Sequence, residues 1–445
     1  MKKILQVFLS ICLIQSASAQ KPTDTDRKIT GMVDNSYGRL FELYKFLHAN
    51  PEISFQEKNT MAKIAAQLKE SGFEVTQNFG GYGLVGVLKN GPGPTILVRT
   101  DLDALPVKEE TGLPYASKAT AKDDQGRDVP AMHACGHDLH MSVFTGTAQV
   151  LAQLKSTWKG TLVFIGQPAE ERSGGAIAML NQGLYEKFPR PDYAIALHDH
   201  AGLPAGKVGY TEGPMMASVD AVDISVRGVG GHGAMPHTTK DPVVLASQIV
   251  LALQTIVSRE TSPFQPCVVT VGSIHGGSAF NIIPDEVKLQ LTLRSYDDSV
   301  RSHTIAAVKR ICEGTARAAG IPQELLPVVK VRDQYTPSNV NDIKLTKRLA
   351  ATFRRALGSE NVLDTPPSTV GEDFSRFART SHKVPTCMFW LGAVDPQKYE
   401  QSLKTGKNLP GLHSSTFAPL PELAIKTGVR AMSAAVLELL GAPGK

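Results

Sequence analysis

Thr161-Leu162-Val163-Phe164-Ile165-Gly166-Gln167-Pro168-Ala169-Glu170-Glu171 sets a pair of acidic residues just past a continuous apolar run. A short run without polar alternation suits a strand buried on both faces, as in a parallel sheet covered by helices. Strands of such a sheet deliver functional residues from the loops at their carboxyl ends. Adjacent glutamates are ordinarily a solvated surface pair; behind this strand and Gln167-Pro168 they read as functional. The pattern recurs. Asp101 and Asp103 follow the run Thr95–Arg99, and His198 follows Tyr193–Leu197, where position favours it over nearby His200. These polar residues are expected on one rim of one sheet.

Working outward, Ile29 to Leu47 has helical apolar spacing and stops at His48-Ala49-Asn50-Pro51, a proline-marked helix end. Lys58–Glu70 reads as a second helix ending at Gly72, and Leu139–Leu154 as a third. The middle of the chain changes character. Val219–Arg227 alternates, Pro242–Val257 is an amphipathic helix, Cys267–Ile274 is a strand, Val287–Tyr296 alternates strictly, and Ser299–Ala319 is helical. A further strand is expected near Val328–Val331. One sheet with both helices on one face fits a ferredoxin-like α+β insert. The fold class is therefore α/β: a mainly parallel-sheet domain split around that insert. The expected divisions are residues 1–19, 20–215, 216–326 and 327–445, the second and last forming the split domain.

With 445 residues, two domains are expected. A composition 42% hydrophobic and 20% charged is that of a globular protein, and a net charge of +5 is too weak to argue for nucleic acid or an anionic membrane. Lys2-Lys3, an apolar stretch from Ile4 to Ile14 and Ala17-Ser18-Ala19 have the order of a secretory signal, with cleavage before Gln20. The stretch is too short for a membrane span, which needs about 20 apolar residues. Export to the periplasm or medium is expected. The remaining cysteines, Cys135, Cys267, Cys312 and Cys387, show no disulfide framework.

Cys135-Gly136-His137 places a thiol and an imidazole two residues apart on a glycine-bent loop. Cys135, His137, Glu171, His198 and His413 together are a candidate ligand set. A thiolate, imidazoles and a carboxylate suit a borderline-soft divalent ion such as zinc. His413, in Gly411-Leu412-His413-Ser414-Ser415, carries little signal by itself. Glu170, beside a ligand, is what a metal-assisted hydrolase needs as a base. No G-x-S-x-G elbow with a following triad supports serine hydrolysis.

These residues sit within a longer series: Leu47-His48-Ala49-Asn50-Pro51-Glu52, Arg99 to Pro106, Met132 to His137, Gln167 to Glu171, Gly230 to His237, Ala279 to Asp285, Gly371-Glu372-Asp373-Phe374 and Leu412-His413. The series resembles the M20 metallopeptidase family, in the amidohydrolase subfamily of hippurate hydrolases, N-acyl-amino-acid amidohydrolases and auxin-conjugate hydrolases. The resemblance implies two divalent ions per subunit on the five ligands, with Cys135 as bridge. Zinc is favoured by softness, and manganese, nickel or cobalt are allowed. It implies Glu170 as general base and Asp103 as the carboxylate that orients a ligand. His232 of the insert would reach the partner subunit's site in a homodimer formed through the insert. Asn281, Arg294 and Gly371 match substrate-binding positions. Plainer readings stand beside these: a strand-end ion pair for Arg294, a turn before Pro284 for Asn281, and a loop cap for His232. The expected reaction is hydrolysis of N-acyl or N-aroyl amino acids. A carboxypeptidase or dipeptidase is the enzyme alternative, and a binding protein on a retired scaffold the other.

Overall fold

The computed structural model describes residues 21–441. The signal read at residues 1–19, with Cys12, lies outside them. Thr23 opens helix α1 (Asp24–Ala49) through a reciprocal capping box with Asp26. Ile29, Val33, Leu40 and Leu47 bury one stripe of it, and the chain leaves the helix before Pro51. Then follow α2 (Lys58–Glu70), β1 (Glu74–Gln77), β2 (Leu84–Asn90), β3 (Thr95–Asp101), α3 (His137–Gln153), β4 (Gly160–Gln167), β5 (Tyr193–Pro204) and β6 (Val208–Tyr210).

The insert carries β7 (Ser218–Arg227), α4 (Pro242–Thr255), β8 (Cys267–Gly276), β9 (Glu286–Ser295), α5 (Asp298–Ala318) and β10 (Val328–Val331). The chain then returns with α6 (Ile343–Leu357), β11 (Val362–Asp364), β12 (Thr386–Val394) and α7 (Pro421–Leu440). The large sheet has the order β1-β2-β4-β3-β5-β12-β6-β11. Its centre, β4-β3-β5-β12, is parallel, while β1, β2 and β6 bring antiparallel pairs. Both faces are covered: α1, α2, α3, α6 and α7 contribute to one apolar cluster, and Met179, Phe374 and Phe377 to another.

The insert sheet runs β8-β9-β7-β10, all antiparallel, the ferredoxin-like order. Val222, Ile224 and Val226 alternate inward with Val287, Leu289 and Leu291, and Leu245, Ile249, Val308 and Ile311 of the two helices cover that face. Among the described residues one stretch, Pro242–Glu260, is long and apolar enough to cross a membrane, but its Leu245, Ala246, Ile249 and Leu253 belong to this core.

Two expectations need correction. The boundary at 326/327 cuts the insert short, because Val328–Val331 pairs with Val222–Ser225 of β7. As a half-exposed edge strand it has weak apolar patterning. Strand β5 also runs past Leu197 to Pro204, so His198 lies within it. The passage between domains is itself paired: Val219 and Thr336 exchange backbone hydrogen bonds of 2.8 and 3.0 Å, and the Ala217 N–H reaches the Ser368 and Val370 carbonyls.

Beneath the rim, His48 at the end of α1 is buried between Asp138 (Nδ1 to Oδ2, 2.6 Å) and Glu109 (Nε2 to Oε1, 3.0 Å). Burial opposes its charge, but hydrogen bonds and charges of Asp138 and Glu109 prevail and raise its pKa to about 10. The unfolded value is about 6.5, so the stabilisation is complete below that pH and is lost as pH rises through the folded value. His48→Gln should lower the unfolding free energy by roughly 3 kcal/mol at pH 6. Urea titrations at pH 6 and above pH 10 check this, and an equal deficit at both would contradict the charged assignment.

Candidate metal centre

Each candidate ligand is placed by a short-range cause. Gly136 takes a left-handed conformation at the start of α3, and a Cβ there would lie 2.4 Å from an Asp199 carboxylate oxygen. Glycine therefore lets Cys135 and His137 wrap around the end of the helix. Glu170 and Glu171 occupy the turn after β4. His413 sits on the loop before α7 with φ of 64°, and its N–H is tied to the Ala134 carbonyl at 2.8 Å. This bond brings a residue 278 positions distant to the thiol: His413 Nε2 is 3.3 Å from Cys135 Sγ.

The other distances close the set. Cys135 Sγ is 3.6 Å from His198 Nε2, and Glu171 lies 3.5 Å from His413 Nε2 and 3.8 Å from His137 Nε2. His137 Nδ1 donates to the Asp103 carbonyl and His198 Nδ1 to the Asp199 carbonyl, both at 2.8 Å. Each bond fixes the tautomer and aims the Nε2 lone pair inward, the usual arrangement of a metal-binding histidine. Asp103 thus orients His137 through its backbone carbonyl, while its carboxylate accepts from Ser54 Oγ at 2.6 Å and the Glu171 N–H at 3.0 Å.

Among the described residues His137 Nε2 and Glu171 Oε1 are buried without a hydrogen-bond partner. Burial, then the Glu171 charge, pushes the Cys135 thiol upward, while burial, opposed by His137, takes Glu171 to about 7. Glu170 is raised by burial and by Glu372, Glu171 and Asp373. A buried cluster with that many donors and that much latent negative charge fits divalent cations, which would reverse these shifts.

Residues that patterning missed support the set from behind. His140, three positions after His137 on the same helical face, is held between Asp101 (2.8 Å) and Asp199 (3.1 Å). Arg99 is fully buried with Asp101, Gln167, Glu372 and Asp373 around its guanidinium. The available signal was charge inside apolar strand runs, as at Arg99 itself. The segment Gly371–Asp373 therefore divides: Gly371 faces the site, and its two acidic neighbours lie beneath it.

A cleft of about 420 Å³ opens over the cluster, lined by Cys135, Glu170, Glu171, His198 and His413 on one side and by Arg294, Thr336 and Gly371 on the other. The Arg294 guanidinium makes no ion pair among the described residues, and partial burial lowers its pKa. The strand-end ion pair is thus not what it forms. His232 and Asn281 are elsewhere. Both are exposed on the insert, where Gly231–His232 pairs with Ile282–Ile283, and His232 Nδ1 accepts from the Ala234 N–H at 3.0 Å.

Comparison with known proteins agrees with this geometry. The model of peptidase family M20/M25/M40 matches residues 97–406. The chain is 34% identical to an N-acetylcysteine deacetylase of Bacillus subtilis over 409 residues, covering 89% of this chain and all of the relative. It is 38% identical to a hippurate hydrolase of Campylobacter jejuni (76% and 85% covered) and 35% to thermostable carboxypeptidase 1 of Saccharolobus solfataricus (81% and 87%). Among solved structures, a Staphylococcus aureus protein described as an aminohydrolase superposes with a TM-score of 0.80 at 31% identity, covering 94% of this chain and all of that one. A dinuclear metal-binding M20 peptidase from Bacillus subtilis gives 0.71 at 29%, covering 91% and 98%. The chain belongs to peptidase family M20/M25/M40 and is a hydrolase of its amidohydrolase branch.

Proposed function

We propose that this hydrolase cleaves the amide bond of N-acyl or N-aroyl amino acids to a carboxylic acid and an amino acid. The observation that carries the reading is the unpaired Arg294 guanidinium across the cleft from Glu170 and the ligand cluster. A free substrate carboxylate is the group such a fork binds bidentately. Cys135, His137, Glu171, His198 and His413 would hold two divalent ions, zinc first by softness, which supply polarisation of water and of the amide carbonyl. Glu170 takes the proton from the attacking water and passes it to the departing amine nitrogen. Gly371 leaves the cleft wall without a side chain where a Cβ would already meet Val219 at 2.3 Å. A peptide with a free C-terminal carboxylate offers Arg294 the same group, and the carboxypeptidase relative favours that second reading. Export, from the charged and apolar order of residues 1–19, belongs to the same proposal.

The oxyanion donor in this reading is His232 of the partner subunit in a homodimer formed through the insert. Its support is placement: His232 and Asn281 are exposed on the insert and do not line the cleft of their own chain, and a second copy is the simplest way to bring them to one.

Five outcomes test the assignment. Glu170→Gln should lose about 10²–10⁴ in kcat with unchanged metal content; ordinary turnover would exclude it as base. Cys135→Ala should lose both metal and activity, while Cys312→Ala, in the insert core, keeps its metal. Elemental analysis across a falling pH series should show metal release, since the ligands must be deprotonated. Replacing a substrate's carboxylate by its methyl ester should cost about 10²-fold in kcat/KM through the charge-assisted pair. Arg294→Ala should erase that discrimination, and full discrimination in the variant would place the carboxylate elsewhere. Co-assembled Glu170→Gln and His232→Ala chains should regain activity if His232 acts in trans; none, with proven subunit exchange, overturns it.

A further inference from the structure

The turn bearing Glu170 and Glu171 begins at a left-handed residue that is not glycine: Ala169 has φ of 47°. Such a conformation persists only where its surroundings hold it. Its N–H donates to Glu57 Oε1 at 2.8 Å, and the same oxygen accepts from the Phe55 N–H at 2.9 Å. Phe55 is also left-handed, with φ of 69°. One oxygen of the buried Glu57 carboxylate therefore joins two strained backbone positions, Phe55 beside it and Ala169 112 residues beyond it. The segment holds the far side of the turn as well. Ser54 Oγ donates to Asp103 Oδ2, which receives the Glu171 N–H, and Ile53 bridges to Ala104.

We infer that Glu57 is a positioning residue for the general base: its side chain holds the Ala169 turn so that Glu170 is aimed into the cleft. The inference rests on Glu170 as base in the proposed function. Among the described residues the Glu57 side chain hydrogen-bonds only backbone N–H groups, those of Phe55 and Ala169, so its action runs through backbone geometry. What the role demands is a hydrogen-bond acceptor at a given reach. Burial, then the Asp103 charge, takes the Glu57 carboxyl up to about 7, and the geometry uses one of its oxygens, Oε1, as the acceptor of both N–H groups. Glutamine preserves reach and acceptor, whereas aspartate preserves charge and loses a methylene.

The test compares Glu57→Ala, Glu57→Asp and Glu57→Gln in the full-length, metal-loaded enzyme, with kcat and KM on one N-acyl amino acid, metal content and thermal midpoint. Glu57→Asp and Glu57→Ala should lose roughly 10²-fold in kcat, the cost of small misplacement of a reacting group, with KM within about threefold. Glu57→Gln should restore kcat to within about threefold. Metal content should match the parent chain. Glu52→Ala is the structural control: Glu52 accepts from the Asn59 and Thr60 N–H groups at the start of α2, so its loss should lower the thermal midpoint and leave kcat unchanged. If Glu57→Ala does not fold, the order of Gln above Asp still decides. Asp matching or exceeding Gln, unchanged kcat in all three, or a kcat loss that tracks metal loss overturns the inference. An active Glu170→Gln would instead sink the base assignment, and an inactive one beside fully active Glu57 variants sinks this inference alone.

Discussion

Everything at the rim rests on the burial of Arg99. A guanidinium with no solvent exposure is costly unless its charge and donors are answered, and here Asp101, Gln167, Glu372 and Asp373 answer them. Those partners come from β3, from the end of β4 and from the segment before β12, so one cation ties the carboxyl ends of neighbouring strands to a loop more than 270 residues away. Asp101, drawn to Arg99 on one side, holds His140 on the other, and His140 reaches Asp199 next to His198. Removal of the guanidinium would leave several buried carboxylates facing one another with their attraction gone. The cost of breaking a buried set exceeds anything a surface pair contributes.

That arrangement explains why strain is tolerated around the chemistry. Ala169, Ser173 and His413 all have positive φ without being glycine, at about 1–3 kcal/mol each. Each is held from outside: Ala169 by Glu57, Ser173 by a hydroxyl contact with Thr336, and His413 by the Ala134 carbonyl. The candidate ligand side chains are therefore presented by turns that the surrounding fold over-determines.

Much of this was legible in the sequence, for physical reasons that differ by element. The insert strands alternate strictly because one face is covered and the other is not, so β7 and β9 are readable to within a residue or two. Edge strand Val328–Val331 has half-exposed residues and little contrast, and the boundary failed there. The candidate ligands stood out because cysteine, histidine and paired glutamate are rare together at strand ends. The supporting layer was not: Arg99, His140, Asp199 and Glu57 acquire meaning only from partners tens to hundreds of residues away. Periodicity carries no information about such partners. His232 and Asn281 show the opposite case, residues with a strong motif that do not line the cleft of their own chain.

The paired crossing between the domains has a mechanical consequence. Val219 and Thr336 run side by side, joined by reciprocal backbone bonds, and the Ala217 N–H is shared with the stretch ending at Gly371. A crossing tied by a reciprocal backbone pair at one bridge resists twist better than two free linkers would. Arg294, carried by the neighbouring strand in register with Val219, is thereby tied to the same crossing. The spacing between Arg294 and Glu170 across the cleft is thus set in part by backbone pairing, through the Val219–Arg294 register and the Val219–Thr336 bridge, and not by side-chain length alone.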